Sequence, residues 1–214
     1  MAGATFSDAL FRRMPIVGVV RHLRSADWPD LLEAYRRSGL TTIEVTMNTA
    51  GATDMIRWAA ERFGDSLNIG AGTVCTLDEL HQAADAGAGF IVTPVLTRDV
   101  IVESCRMGLP VFPGAFTPTE IREAWTLGAS LVKVFPAAPL GPAYIRAVKA
   151  PFPDMQLMPT GGIGIADVAA YRRAGADALG IGSPLFPDDL LRRGDWAALA
   201  EHFEHFVNNW NTAP

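Results

Sequence analysis

A single lysine stands inside the apolar run GASLVKVFPA, residues 128–137, and a single glutamate inside GLTTIEVTM, residues 39–47. Leu131, Val132, Val134 and Phe135 read as a strand covered on both faces. A charged ammonium in such a place costs several kcal/mol unless it is paired, reaches water or sheds its proton. A desolvated lysine can lose that proton near neutral pH, which arginine cannot. The neutral amine is the species that attacks a ketone to form an imine, and a nearby carboxylate can move the protons that imine chemistry requires. The competing reading is a structural Lys133–Glu44 pair filling a core layer. Against it stands the weakness of a buried ion pair as a source of stability compared with apolar packing.

These two residues need elements to hold them. The chain repeats one cadence: a helical stretch, a Gly-Ala type turn, then a short apolar strand, as in SGLTTIEVT, AGAGFIVTP, LGASLVKVF and AGADALGIG. Strands are expected near residues 16–20, 42–45, 68–70, 90–92, 110–112, 131–134, 156–158 and 178–181. Their starts lie roughly 20 to 26 residues apart, the length of a βα unit. DWPDLLEAYRRSG carries proline in its first turn and glycine at its end, and Thr76 with Glu79 and Thr117 with Glu120 have capping-box spacing. Eight strands alternating with helices, with no linker or low-complexity stretch, predict a single (β/α)8 TIM barrel domain over residues 1–214. A short extra helix near residues 6–13 precedes it. A doubly wound sheet fits less well, because GVVRHLRS follows the first strand where a dinucleotide-binding glycine loop would stand.

Barrel chemistry belongs at the C-terminal ends of the strands. Arg21, Glu44, Thr46, Gly72, Thr73, Thr93, Pro94, Lys133, Thr160 and the glycines 161, 162 and 182 collect there. Period two puts Lys133 on one face with Leu131 and Phe135, and Glu44 on one face with Thr42 and Thr46. Ile43, Val45, Val132 and Val134 then face the helices, and Lys133 and Glu44 share the mouth. PTGGI and GIGSPL place small residues between the seventh and eighth strands and their following helices. Glycines expose backbone N–H groups, and a phosphate site after those two strands is a recurring barrel feature. Gly161, Gly162, Gly182 and Ser183 are the candidate phosphate-binding residues. A lysine imine and a phosphate site on one barrel describe a class I aldolase acting on a phosphorylated sugar or sugar acid.

The 214 residues are 49% hydrophobic and 19% charged, enough for one sizeable core. A net charge of −5 offers no footprint for nucleic acid or an anionic membrane. Cys75 and Cys105 form no disulfide framework or zinc spacing, and Cys75 reads as a packing residue. MAGATFSDALFRRMP has no signal-type apolar core, and no run is long enough to span a bilayer, so a cytoplasmic protein is expected. EHFEH lacks the zincin pattern, and His202 and His205 read as a solvated helix face.

IEVTMNT (43–49), GAGTV (70–74), VTPVLT (92–97), FPGAFTPTE (112–120), KVFPA (133–137), PTGGI (159–163) and GIGSPL (180–185) occur in an order similar to that of the 2-keto-3-deoxy-6-phosphogluconate (KDPG) and 4-hydroxy-2-oxoglutarate (KHG) aldolases. The 2-keto-3-deoxy-6-phosphogalactonate aldolases group with them. The resemblance implies a homotrimer of barrels with neither metal nor cofactor. It implies a Schiff base on Lys133, general acid–base work by Glu44, and a pyruvate pocket lined by Thr73, Pro94, Phe135 and Thr160. The implied partners are small molecules: a phosphorylated 2-keto-3-deoxy sugar acid and pyruvate. The rivals are 4-hydroxy-2-oxoglutarate as substrate and, farther off, a non-catalytic phosphosugar-binding barrel or a barrel isomerase.

One position departs. Members of the gluconate type resemble EVTLRT, with an arginine for the substrate carboxylate, where this chain has Asn48. The galactonate type is similar here instead, with an arginine ending its first strand as Arg21 does, and with a segment like LGPAYIRAVKA. PTGGI keeps a threonine of the gluconate type. Arg21 is therefore expected to take the carboxylate, with Asn48 contacting the substrate more weakly.

Overall fold

The computed structural model describes residues 5–213; the first four residues, part of the segment read for a leader, and Pro214 lie outside the described residues. Nine strand segments run through the chain: β1 (Ile16–Val20), β2 (Thr42–Thr46), β3 (Asn68–Gly72), β4 (Ile91–Val92), β5 (Val111–Phe112), β6 (Gly114–Ala115), β7 (Val132–Val134), β8 (Leu157–Pro159) and β9 (Leu179–Ile181). Between them lie α1 (Asp8–Arg13), α2 (Trp28–Arg37), α3 (Ala52–Phe63), α4 (Leu77–Asp85), α5 (Arg98–Arg106), α6 (Pro118–Thr126), α7 (Gly141–Lys149), α8 (Val168–Arg173), α9 (Asp188–Arg193) and α10 (Trp196–Thr212). The fold is α/β with parallel strands. No helix among the described residues is long and apolar enough to cross a membrane.

Nine segments appear where eight strands were expected, the addition being β6, which follows β5 after Pro113. Pro113 has no N–H to give to a ladder, so β5 pairs with β4 and β6 pairs with β7. Six strands form one sheet in the order β5-β4-β3-β2-β1-β9, and three form another in the order β6-β7-β8. Beyond β8, Thr160 bridges in parallel to Gly180 of β9.

The period-two reading of the strands holds. Ile43, Val45, Val132 and Val134 belong to the large cluster shared with the helices. Val17, Phe90, Val92, Phe112, Leu131 and Met158 form a second, separate cluster on the opposite face of the strands. The N-terminal segment closes that second cluster. Phe6 and Phe11 pack on Phe112, and Phe6 also on Phe90, with ring centroids 5.6–6.0 Å apart. Asn68 holds the segment in place by accepting from the Ser7 N–H at 2.7 Å and donating to the Ser7 carbonyl at 3.1 Å. Burying one such ring contributes about 1.5–3 kcal/mol. Both expected capping boxes form, with Thr76 accepting from the Glu79 N–H and Thr117 from the Glu120 N–H. The N-terminal segment thus packs over the apolar bottom of the sheet, beside a second cavity of about 240 Å³ lined by Phe6, Phe11, Phe112 and Leu131.

Candidate active site

Lys133 lies in the middle of β7, between Gly114 of β6 and Met158 of β8. Glu44 lies in the middle of β2, between Val19 of β1 and Gly70 of β3. Both side chains are buried, Glu44 almost wholly. A cavity of about 340 Å³ opens at the C-terminal ends of the strands. It brings together eight of the residues expected from sequence: Arg21, Lys133, Phe135, Thr160, Gly161, Gly162, Gly182 and Ser183. Lys133 forms part of its wall, with Nζ 5.2 Å from the centre of the Phe135 ring.

Gly161 and Gly162 have φ of 95° and 74°, a region open to glycine and strained for other residues. The turn they form is tied to the loop after β7, where the Ala137 and Ala138 N–H groups donate to the carbonyls of Thr160 and Gly161 at 2.8 and 3.1 Å. Two strand ends thereby present backbone and a hydroxyl group, from Ser183, to one side of the cavity.

Four expected residues are not part of the lining. Glu44 lies beneath it, packed against Gly72, where a Cβ would sit 2.6 Å from the Glu44 Cδ. Neither Glu44 carboxylate oxygen receives a hydrogen bond among the described residues. Thr73 and Pro94 are half-buried at the ends of β3 and β4, and Asn48 is exposed in the loop after β2. The expected weak contact of Asn48 is thus not seen at the wall of the cavity, whereas Arg21 is there.

Electrostatics couple the buried pair across that boundary. Burial pushes the Lys133 ammonium below its ordinary pKa; Glu44 opposes that shift and Arg21 adds to it. Burial pushes the Glu44 carboxyl up, against the pull of Lys133 and Arg21. Both shifts favour one arrangement, with the proton off the amine and on the carboxyl.

Sequence reasoning missed three features. Asp188 and Leu191 of α9 line the cavity, and an exposed acidic helix start gave no signal of this. His202 is half-buried rather than solvated, with Nε2 2.8 Å from the carbonyl of Pro184, next to Ser183; His205 is exposed as expected. Cys75, expected to pack, is exposed. Among the described residues, no three His, Cys, Asp or Glu side chains gather to hold a metal ion.

The family described as KDPG and KHG aldolase matches residues 7–202, nearly the whole chain. The chain belongs to the KDPG and KHG aldolase family. Among its KDPG aldolase relatives, the 2-dehydro-3-deoxy-phosphogluconate aldolase of Pseudomonas aeruginosa is 36% identical over 192 residues, 89% of this chain and 86% of that protein. A probable 2-dehydro-3-deoxy-6-phosphogalactonate aldolase of Rhizobium meliloti is 34% identical, covering 80% of this chain and 82% of its own. The KDPG aldolase of Legionella pneumophila, solved with pyruvate captured as a covalent carbinolamine, superposes with a TM-score of 0.82 at 29% identity. That match covers 92% of this chain and 95% of the other.

Proposed function

We propose that this protein is a class I aldolase that cleaves a 2-keto-3-deoxy-6-phospho sugar acid, of gluconate or galactonate type, into pyruvate and glyceraldehyde 3-phosphate. The observation that carries the reading is a buried lysine of lowered pKa in the wall of a cavity, above a buried carboxyl free of hydrogen bonds.

Neutral Lys133 Nζ attacks the C2 ketone, and Glu44 supplies the proton with which the carbinolamine loses water. The iminium is an electron sink. Glu44, now a carboxylate, takes the C4 hydroxyl proton, and the C3–C4 bonding pair flows into the iminium to give an enamine. The aldehyde leaves, the enamine is protonated at C3, and water hydrolyses the resulting imine to pyruvate and free Lys133. Arg21 binds the carboxylate with help from Asn48. Thr73, Pro94, Phe135 and Thr160 bound the pyruvate end, and Gly161, Gly162, Gly182 and Ser183 take the phosphate. The captured carbinolamine of the Legionella relative supports the covalent step.

The reading includes a closed eight-stranded barrel, with β5 and β6 as one strand broken at Pro113 and the Thr160–Gly180 bridge as the seam. It includes a cytoplasmic homotrimer. Exposed Leu77, Val95 and Phe116, which follow the ends of β3, β4 and β6, are apolar surface for a second copy, and sedimentation of the protein measures this. Incubation with pyruvate and borohydride, followed by peptide mass spectrometry, tests the chemistry. A reduced pyruvyl adduct on Lys133 is expected, and a folded protein with no adduct there rules the reading out.

Asp188 favours a second reading of the substrate. A carboxylate in the lining repels a phosphate dianion more strongly than the single carboxylate at the corresponding end of 4-hydroxy-2-oxoglutarate, which would be cleaved to pyruvate and glyoxylate. Comparing kcat/KM for the two substrates decides between them.

A further inference from the structure

We propose that Thr49 is a positioning residue that holds Arg21 at the cavity by fixing the turn after β1; the inference rests on the aldolase reading above. Arg21 is the first residue beyond β1, and the chain turns away immediately after it. It does so through His22, whose φ of 56° lies in the left-handed region that a non-glycine residue occupies only when its surroundings hold it there. The hold is visible. The His22 N–H donates to Thr49 Oγ1 at 3.1 Å.

Thr49 is itself anchored. It is buried, and its hydroxyl lies 3.0 Å from that of Thr46, the fully buried last residue of β2. A hydroxyl has one proton and two lone pairs, enough to serve both partners. The Thr49 N–H also donates to the Thr46 carbonyl at 2.8 Å, and its carbonyl accepts from the Ala52 N–H at 3.1 Å at the start of α3. These backbone bonds set the position of residue 49 without its side chain. What the hydroxyl adds is a link between the turn carrying Arg21 and the strand carrying Glu44. Period two places Thr46 on the same face of β2 as Glu44. One continuous path thus runs from the acid–base carboxyl's strand to the cation that meets the substrate carboxylate. Arg21 itself is exposed and makes no ion pair among the described residues, so the turn behind it is what sets its direction.

Thr49→Val keeps the shape and removes the hydroxyl. It should raise KM for the phosphorylated keto acid about five- to tenfold and leave kcat within about twofold, the size of one lost hydrogen bond acting on ground-state binding. Thr49→Ser should restore KM. If Thr49 acts through Arg21, Thr49→Val adds nothing in an Arg21→Ala background, whereas a general structural defect adds its full effect there. A KM unchanged in Thr49→Val, or full additivity with Arg21→Ala, overturns the proposal. Amide hydrogen exchange gives a readout free of activity. His22 N–H should exchange at least about tenfold faster in Thr49→Val while the amides of residues 43–45 stay protected, and an unchanged His22 rate also overturns it. Thr49→Ala, which removes the same hydroxyl without bulk, replaces Thr49→Val if that variant does not fold. A wild-type protein with no turnover defeats the aldolase reading, and the exchange rates then decide the Thr49 assignment alone.

Discussion

Adding one methyl group at Gly72 should disable the acid–base carboxyl without touching the cavity wall. Gly72 ends β3, and a Cβ built there lies 2.6 Å from the Glu44 Cδ, 3.2 Å from its Cγ, and closer still to Oε1. Carbon atoms rest at about 3.5–4.0 Å, so the carboxyl must retreat by about 1 Å. It has nowhere easy to go, because Glu44 is wholly enclosed. Overpacking of this kind costs about 1–3 kcal/mol, which in a domain of this size lowers Tm by about 2–4 °C for each kcal/mol. The larger effect is on catalysis, since a reacting group displaced by about 1 Å loses roughly 10²-fold in rate. The assay is pyruvate release under saturating substrate, alongside a thermal melt. Gly72→Ala should lose kcat by about two orders of magnitude while remaining folded. Gly182→Ala is the control for the fold, because its Cβ would meet nothing closer than 3.9 Å, and its melt should match the wild type. A Gly72→Ala enzyme with kcat within about twofold of wild type would refute the reasoning, for the carboxyl would then not be working from where it sits.

Three further outcomes follow from the same site. Burial raises the pKa of Glu44 above its unfolded value, so its native state holds a proton that the unfolded chain has lost. Its contribution is fully present below the unfolded pKa near 4.3 and falls away as pH climbs through the raised one. Glu44→Gln should therefore raise Tm increasingly with pH across that window and lower kcat by about 10²–10⁴; melts whose difference from wild type does not change with pH contradict the burial argument. Lys133, pushed the other way, should trap pyruvate with a midpoint below the free-lysine value of about 10.4, and a borohydride-trapping profile centred at or above that value contradicts it. Arg21→Ala should raise KM for the keto acid by about 10-fold or more, as expected for a lost charged hydrogen bond; an unchanged KM removes Arg21 from the carboxylate role.

How much of this was legible in the sequence depended on whether a residue's position follows from its own strand. The alternation of β2 and β7 is a property of the pleat, so the separation of Ile43, Val45, Val132 and Val134 from Glu44 and Lys133 could be read directly and reappears as two distinct clusters. Thr76–Glu79 and Thr117–Glu120 were legible for the same reason, since each cap is made within one turn. Pro113 was legible only in part: proline's missing N–H predicts a break, but not that the chain would resume as a strand after one residue. Loop residues were the least accessible. Asn48, the position that departs from the motif, is exposed in the loop after β2 and not among the residues lining the cavity, and that loop is tied to the turn after β1 through its neighbour Thr49. His22 and Thr73 adopt left-handed conformations, at φ of 56° and 57°, that their own propensities argue against. His202 sits on a helix that looks solvated until its partner, the Pro184 carbonyl, is known. His22 and His202 were decided by partners 27 and 18 residues away in sequence.

The site cavity opens at the C-terminal ends of the strands, away from the aromatic cluster of Phe6, Phe11, Phe90 and Phe112, and this has a kinetic consequence: Lys133 shares that cavity with Arg21, Gly161 and Ser183. In cleavage the aldehyde half departs while the three-carbon half is still bonded to the lysine. In the synthetic direction the keto acid must enter first, and an aldehyde that arrives early blocks it. Product inhibition should accordingly be competitive for pyruvate and noncompetitive for the aldehyde, a rate-law signature of a three-carbon half that stays bonded to the lysine after the aldehyde has left.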